Sequence, residues 1–390
     1  MPSLNVDRSA IPLSLYVHIP WCERKCPYCD FNSHEHFDSN LEQPYIDALL
    51  SDLASQVETV SHRELVAIFI GGGTPSLFSD GGIARLLSGI NRLISFAANC
   101  EVTLETNPGS AEAAKFEGLS AAGINRLSIG VQSFSDNQLS LLGRIHTADD
   151  ARRACDLAAR HFQRFNIDLM HGLPGQNVAS ALTDLHEGIE RAGGHLSWYQ
   201  LTIEPNTVFY NKPPTIPVED VLADIQDEGE TLLVDTGFLQ YEVSAWAQPD
   251  QASKHNLNYW EFGDYLGIGA GAHGKLTRAD GTIVRTRRTR LPVDYLASIQ
   301  GGKSTIDAPI SNENLPSEFM LNALRLKNGV TSDLFEQRTG LPLTQIEATL
   351  ATLSARGLLM PLCSGRLQTS ALGFRFLNEV LAAFLPNNKS

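Results

Sequence analysis

Six short runs of β-branched and other apolar residues, at 14–19, 65–70, 101–105, 126–131, 165–170 and 197–203, constrain what this chain can fold into more than any other feature. Between them lie stretches with apolar residues three and four apart, such as 45–57, 83–94 and 151–161, which read as amphipathic helices. Strand-helix alternation repeated this often predicts βαβ units around a parallel sheet, an α/β fold. Polar or glycine-rich residues follow nearly every run: His18, residues 71–74, Glu105 with Asn107, Gln132, Asp168 and Glu204. That pattern favours a sheet curled like a barrel, in which an active site is assembled at the carboxyl ends of the strands.

The alternation stops near residue 240. Residues 241–310 hold a β-like run at 240–246, a glycine-rich GDYLGIGAGAHG and an arginine-rich RTRRTR at 285–290, and read as an accessory β region. Residues 311–390 read as three helices and a short hairpin at 358–367 turning at Ser364-Gly365, an order like a winged helix. We therefore expect three units, 1–240, 241–310 and 311–390. A nucleic-acid partner is not expected: the last unit has no basic cluster, and 30 Lys and Arg against 44 Asp and Glu leave the chain at −14. With 43% apolar and 19% charged residues the 390-residue chain can bury a core. No run reaches the ~18 apolar residues of a membrane span. The N-terminal 22 residues lack the basic start and unbroken apolar stretch of an export signal, so a cytoplasmic location is expected. Peripheral contact with a membrane stays open.

Cys22, Cys26 and Cys29 form C-x3-C-x2-C on one loop after the first run, whereas Cys100, Cys155 and Cys363 are scattered. In a reducing compartment a tight cysteine group is a metal or redox site rather than a disulfide framework. Thiolates are the usual protein ligands of iron-sulfur clusters, and three of them leave one iron of a cubane open for chemistry. Zinc competes, but a closed tetrahedral site needs four ligands, and the fourth would have to be His34 or His36. Three unrelated buried cysteines are the structural alternative. GGGTPS at 71–76 lets backbone approach a ligand closely, or makes a tight turn, and it lacks the Lys-Ser/Thr of a phosphate-binding loop. Glu105, Gln132, Arg144 and Asp168 offer groups suited to hydroxyls, an ammonium or a carboxylate.

The cysteine spacing, with Tyr28 just before the last cysteine, resembles the signature of the radical S-adenosylmethionine (SAM) superfamily. The resemblance implies a partial (β/α)6 TIM-like barrel. It also implies a 4Fe-4S cluster on Cys22, Cys26 and Cys29, flanked by Tyr28, whose open iron is chelated by the amino and carboxylate groups of SAM. The motif order along nearly the whole chain resembles the oxygen-independent coproporphyrinogen III oxidase group. By motif match, this implies Tyr16, Gly72, Gly73, Thr74, Glu105, Gln132, Arg144 and Asp168 as SAM contacts.

Two features resemble the heme chaperone branch of that group, HemW, more than the oxidase. Phe31 stands where the oxidase has a further cysteine, and HNLNYW at 255–260 matches an HNxxYW motif. This branch implies heme as a further ligand, His255 as its axial donor with Tyr259 and Trp260 beside it, and delivery to an unidentified acceptor protein. An imidazole is a normal axial ligand of heme iron. His273 is the next candidate. The arginine run is a secondary candidate for pairing propionates, or else a solvated, charge-protected edge strand. The oxidase itself, decarboxylating porphyrinogen propionates, is the alternative function, and Phe31 counts against it. A winged-helix regulator sensing cluster status is the third, and the missing basic patch counts against that one.

Overall fold

The protein is described by a computed structural model covering residues 6–302 and 306–386. The first five residues screened for an export signal and the last four of the C-terminal unit lie outside the described residues.

The six runs are six strands: β1 (Leu13–Ile19), β2 (Leu65–Gly72), β3 (Phe96–Thr106), β4 (Arg126–Gln132), β5 (Phe165–His171) and β6 (Gly194–Gln200). Each pairs in parallel with the next. Their apolar runs are continuous because both faces are covered, and along β1 only Tyr16 is less than fully buried. The connecting helices are α1 (Glu42–Ala54), α2 (Asp80–Leu93), α3 (Phe116–Ala121), α4 (Ala148–His161) and α5 (Val178–Arg191), and α6 (Glu219–Asp235) follows β6. Capping boxes at Thr147/Asp150 and Asn177/Ser180 start α4 and α5, satisfying backbone donors that an unfinished first turn leaves free. Glu42 of α1 accepts from the Ser79 backbone N–H at 2.8 Å, which ties α1 to the cap of α2.

The run at 240–246 is a hairpin of two strands, β7 (Leu239–Glu242) and β8 (Ala245–Ala247), with β8 antiparallel to β6. After α7 (Lys254–Trp260), the strand β9 (Asp264–Ile268) runs parallel beside β1, and β10 (His273–Thr277), β11 (Ile283–Arg287) and β12 (Ile306–Pro309) follow antiparallel. The accessory strands are thus not a separate layer. They extend the barrel sheet at both ends, giving the order β12-β11-β10-β9-β1-β2-β3-β4-β5-β6-β8-β7. The physical reason is that an incomplete barrel leaves unpaired backbone groups on its outer strands, which further strands satisfy.

The arginine run corrects a second expectation. β11 is paired on both sides, so it is not an edge. Arg285 reaches Glu318 and Tyr265, and Arg288 is fully buried against Asp52 at 2.8 Å. Only Arg287 and Arg290 of the four are exposed.

Beyond α8 (Pro292–Gln300), the helices α9 (Leu315–Ala323), α10 (Ser332–Thr339) and α11 (Glu347–Ala355) enclose a second apolar cluster with Phe319, Phe335, Leu350 and Val380, which Phe262 and Ile283 of the accessory region join. Of the expected hairpin, Leu359 bridges Thr369, while β14 (Arg366–Leu367) also pairs with β13 (Val330–Thr331) ahead of α10. The turn glycine, Gly365, has φ +72°, which a side chain would strain. Among the described residues no helix is long and apolar enough to cross a membrane.

Candidate functional site

Six parallel strands pointing one way bring their carboxyl ends to one mouth, which holds a cavity of about 460 Å³. Its wall includes Cys22, Cys26, Tyr28 and Cys29 from the loop after β1, Gly72, Gly73 and Thr74 from the end of β2, Glu105 and Gln132 from the ends of β3 and β4, Asp168 from within β5, and Arg144, which lies not at a strand end but in the loop before α4. Residues more than 140 positions apart in the sequence face one space.

The glycines at the end of β2 are required by close approach. A Cβ on Gly73 would lie 2.4 Å from the Trp21 carbonyl oxygen, and one on Gly71 would lie 2.7 Å from a Glu105 carboxylate oxygen. Gly72, at φ +115°, has no room for a Cβ beside the His18 ring and donates its N–H to Glu105 Oε2 at 2.9 Å. Thr74 N–H donates to the Trp21 carbonyl at 2.6 Å, so the strand end is bonded directly to the cysteine loop. Burial pushes the Glu105 carboxyl up to about 7, partly offset by the Gly72 N–H and reinforced by Asp168. Burial likewise raises Asp168, against hydrogen bonds from Asn166, Ser197 and Ser128. Two carboxyls in a dry site call for a cationic or hydroxyl-bearing ligand.

The three cysteines are free, half-buried thiols on one loop. Burial raises the Cys22 and Cys29 thiols, and the positive charge of a bound metal would offset that rise. Arg144 Nη1 lies 3.4 Å from Cys26 Sγ, a second source of positive charge for the loop. Among the described residues no three His, Cys, Asp or Glu side chains converge on a single point as one metal ion requires. Three thiols on one short loop are donors of the kind that bind the separate irons of a 4Fe-4S cube.

A scan of known families matches the Radical SAM superfamily over residues 16–187 and the HemN C-terminal domain over residues 310–376. Heme chaperone HemW of Escherichia coli (strain K12) is 47% identical over 375 residues, 96% of this chain and 98% of the relative. The chain belongs to the HemW family. Other relatives include heme chaperone HemW of Bacillus subtilis, at 33% identity over 95% of this chain and 99% of its own. Radical S-adenosyl methionine domain-containing protein 1, mitochondrial, of Mus musculus is 36% identical over 96% of this chain and 87% of its own. Among solved structures, coproporphyrinogen III oxidase (HemN) from Escherichia coli superimposes with a TM-score of 0.80, 23% identity, and coverage of 96% of this chain and 90% of that one. That likeness establishes the α/β barrel fold and nothing finer.

Tyr16 and His255, both singled out from sequence, are not in the cavity wall of this HemW-family chain. Tyr16 points into the barrel beneath it and donates its hydroxyl to His18 Nδ1 at 2.9 Å. His18 Nε2 then donates to the Asn32 carbonyl at 2.9 Å, since a carbonyl can only accept. Tyr16 therefore acts on the cysteine loop through His18. His255 lies at the opposite end, on α7, which closes the amino-terminal ends of the strands. It is 2% exposed, stacked on Phe69 at 4.8 Å and edge-on to Tyr259 at 4.4 Å, with no hydrogen bond to either ring nitrogen. Burial alone drives its pKa down to about 3.

Conversely, the sequence reading did not name Asn107 and Tyr199 as site residues. Asn107 donates to Thr74 Oγ1 at 2.9 Å and accepts from Arg144 Nη2 at 2.7 Å, joining the ends of β2 and β3 to the loop before α4. Tyr199 donates to Gln132 Oε1 at 2.8 Å, and Gln132 sits at φ +69°, a left-handed conformation that a non-glycine residue keeps only under constraint. Asn107 was visible as a polar residue after a strand. Nothing local marked Tyr199.

Proposed function

We propose that this chain is a heme chaperone that binds heme and passes it to an acceptor protein, on a barrel carrying a 4Fe-4S cluster and SAM. The carrying observation is 47% identity to a heme chaperone across 96% of the chain. In this reading Cys22, Cys26 and Cys29 hold the cluster, Tyr28 covers it, and Gly72, Gly73, Thr74, Glu105, Gln132, Arg144 and Asp168 receive SAM. The bound cluster supplies an iron open to the amino and carboxylate groups of SAM. Glu105 accepts an ammonium, and Arg144, held by Asn107 and the Gly130 carbonyl, pairs with a carboxylate. Residues 1–240 act as the barrel unit, 241–310 as the accessory region and 311–390 as a packing domain; the chain works in the cytoplasm.

His255, the axial ligand suggested by HNLNYW, would reach heme only if α7 left the barrel floor, because its ring is enclosed by Tyr16, Phe69 and Tyr259. Phe31, 59% exposed at the mouth, supplies no thiol where the oxidase has one.

The test is an anaerobic preparation reconstituted with iron and sulfide. It is assayed side by side for heme uptake by absorption, heme transfer to apomyoglobin, and coproporphyrinogen turnover. Uptake and transfer without turnover are expected. Turnover with no retained heme would replace this reading with the oxidase.

A further inference from the structure

Resting on the heme-carrying reading, we propose that heme docks on an exposed face beside the cysteine loop, with His273 as its axial ligand and Arg287 and Arg290 pairing its propionates. His273 opens β10 and is exposed, and its imidazole has no hydrogen-bond partner among the described residues. Its register partner across the ladder is Arg287, so the two side chains stand on the same face. Arg290, three residues on, is also exposed. Neither Arg287 nor Arg290 makes an ion pair among the described residues, in a chain with 14 surplus negative charges. Arg285 and Arg288, by contrast, are matched to Glu318 and Asp52.

Exposed apolar side chains flank these residues. Leu291 is 51% exposed and Val293 69%, directly after Arg290, and Phe31 is 59% exposed across the junction. The junction is fixed: Asn32 Nδ2 donates to the Ala270 carbonyl at 2.9 Å and to the Arg290 carbonyl at 2.8 Å, clamping the cysteine loop to the segment before His273. Partial burial and then the nearby arginines lower the His273 pKa, which keeps its imidazole a neutral nitrogen donor at neutral pH. A flat apolar ligand with two carboxylates on one edge and an iron at its centre matches exposed apolar side chains, an imidazole and two guanidiniums that lack a carboxylate partner among the described residues, Arg290 holding only a 3.5 Å contact from Nε to Asn32 Oδ1. The buried His255 offers none of this without unfolding α7. On this face the cargo sits beside the barrel mouth rather than behind it.

The full-length, cluster-loaded protein is titrated with ferric heme. His273→Ala is expected to shift the Soret band, and millimolar imidazole to restore it, because an open surface site admits the free ligand. The double variant Arg287→Gln/Arg290→Gln should raise the Kd at least about tenfold for heme, yet bind heme dimethyl ester, whose carboxylates are blocked, as the unmodified protein does. His255→Leu should leave the spectrum unchanged. Wild-type spectrum and affinity in both His273→Ala and the arginine pair, or loss of the band in His255→Leu alone, would overturn the inference while leaving the chaperone reading intact. If the unmodified protein takes up no heme at all, it is the chaperone reading that fails.

Discussion

The two ends of the barrel are built from the same strands and do opposite things with charge. At the floor the buried carboxylates Glu101 and Asp264 are answered from within. Glu101 meets Arg164 at 2.8 Å, Arg126 at 3.5 Å and the Lys254 backbone N–H at 2.9 Å, while Asp264 meets Arg63 at 2.8 Å and Lys275 at 3.1 Å. Asn258 stitches α7 to β1 and β9 through Ser14 and the Asp264 carbonyl. At the mouth, Glu105, Asp168, Arg144 and the three thiols face a cavity, each with hydrogen-bonding capacity left over. The difference teaches where chemistry and where stability reside: strand amino ends close the barrel, and strand carboxyl ends present it.

The comparison is broken most completely at the cysteines. Replacing any one of Cys22, Cys26 or Cys29 by Ala should abolish the cluster, seen as loss of iron and sulfide, because two thiolates hold a cube poorly. Thermal melting of the iron-free protein should barely move. A cluster retained in full by Cys26→Ala would remove the mouth from metal chemistry.

Next in size is the floor. Glu101→Ala leaves Arg126 buried without its partner and should cost about 3–5 kcal/mol in denaturant unfolding, with no dependence on SAM. Unchanged stability would show that the floor does not hold the barrel closed.

Glu105 sharpens the contrast through pH. Its carboxyl titrates near 7 when folded against 4.5 when unfolded, so the folded state holds its proton more tightly, and the stability this contributes is lost as pH rises through 7. Glu105→Gln should therefore stabilise the ligand-free protein by up to about 3 kcal/mol at pH 8 and by little at pH 4.5. The same variant should weaken SAM binding while the cluster stays. A loss of stability at pH 8 would place Glu105 with the structural charges of the floor. Smallest is His255→Leu, which removes two buried ring nitrogens without partners from an aromatic nest and should shift stability by less than about 1.5 kcal/mol. A larger loss would mean the imidazole is bonded in solution.

Much of this architecture was legible in the chain. The six runs fall on the six barrel strands, offset by up to five residues at a boundary, because a strand buried on both faces is mostly apolar. The cysteine loop was equally legible, since its three thiols lie within eight residues and need no fold to bring them close. Harder were residues whose meaning depends on a neighbour across the sheet. Arg288 looks like its exposed companions in RTRRTR, yet it is buried because Asp52, far back on α1, faces it at 2.8 Å. Tyr199 reads as one more aromatic in a strand until Gln132 lies opposite.

The sequence by itself thus determined the strand count, the direction in which polar residues gather, and the closely spaced cysteine loop, all of which follow from local periodicity and short spacing. Only the tertiary structure decided that β9 enters the sheet beside β1 and that α7 is consequently drawn under the barrel. With it went His255, carried inside among Tyr16, Phe69 and Tyr259, while His273 stayed at the surface. The reason is that which imidazole meets solvent is set by pairing between strands some 250 residues apart, such as Leu13 with Asp264, and no local pattern encodes that pairing.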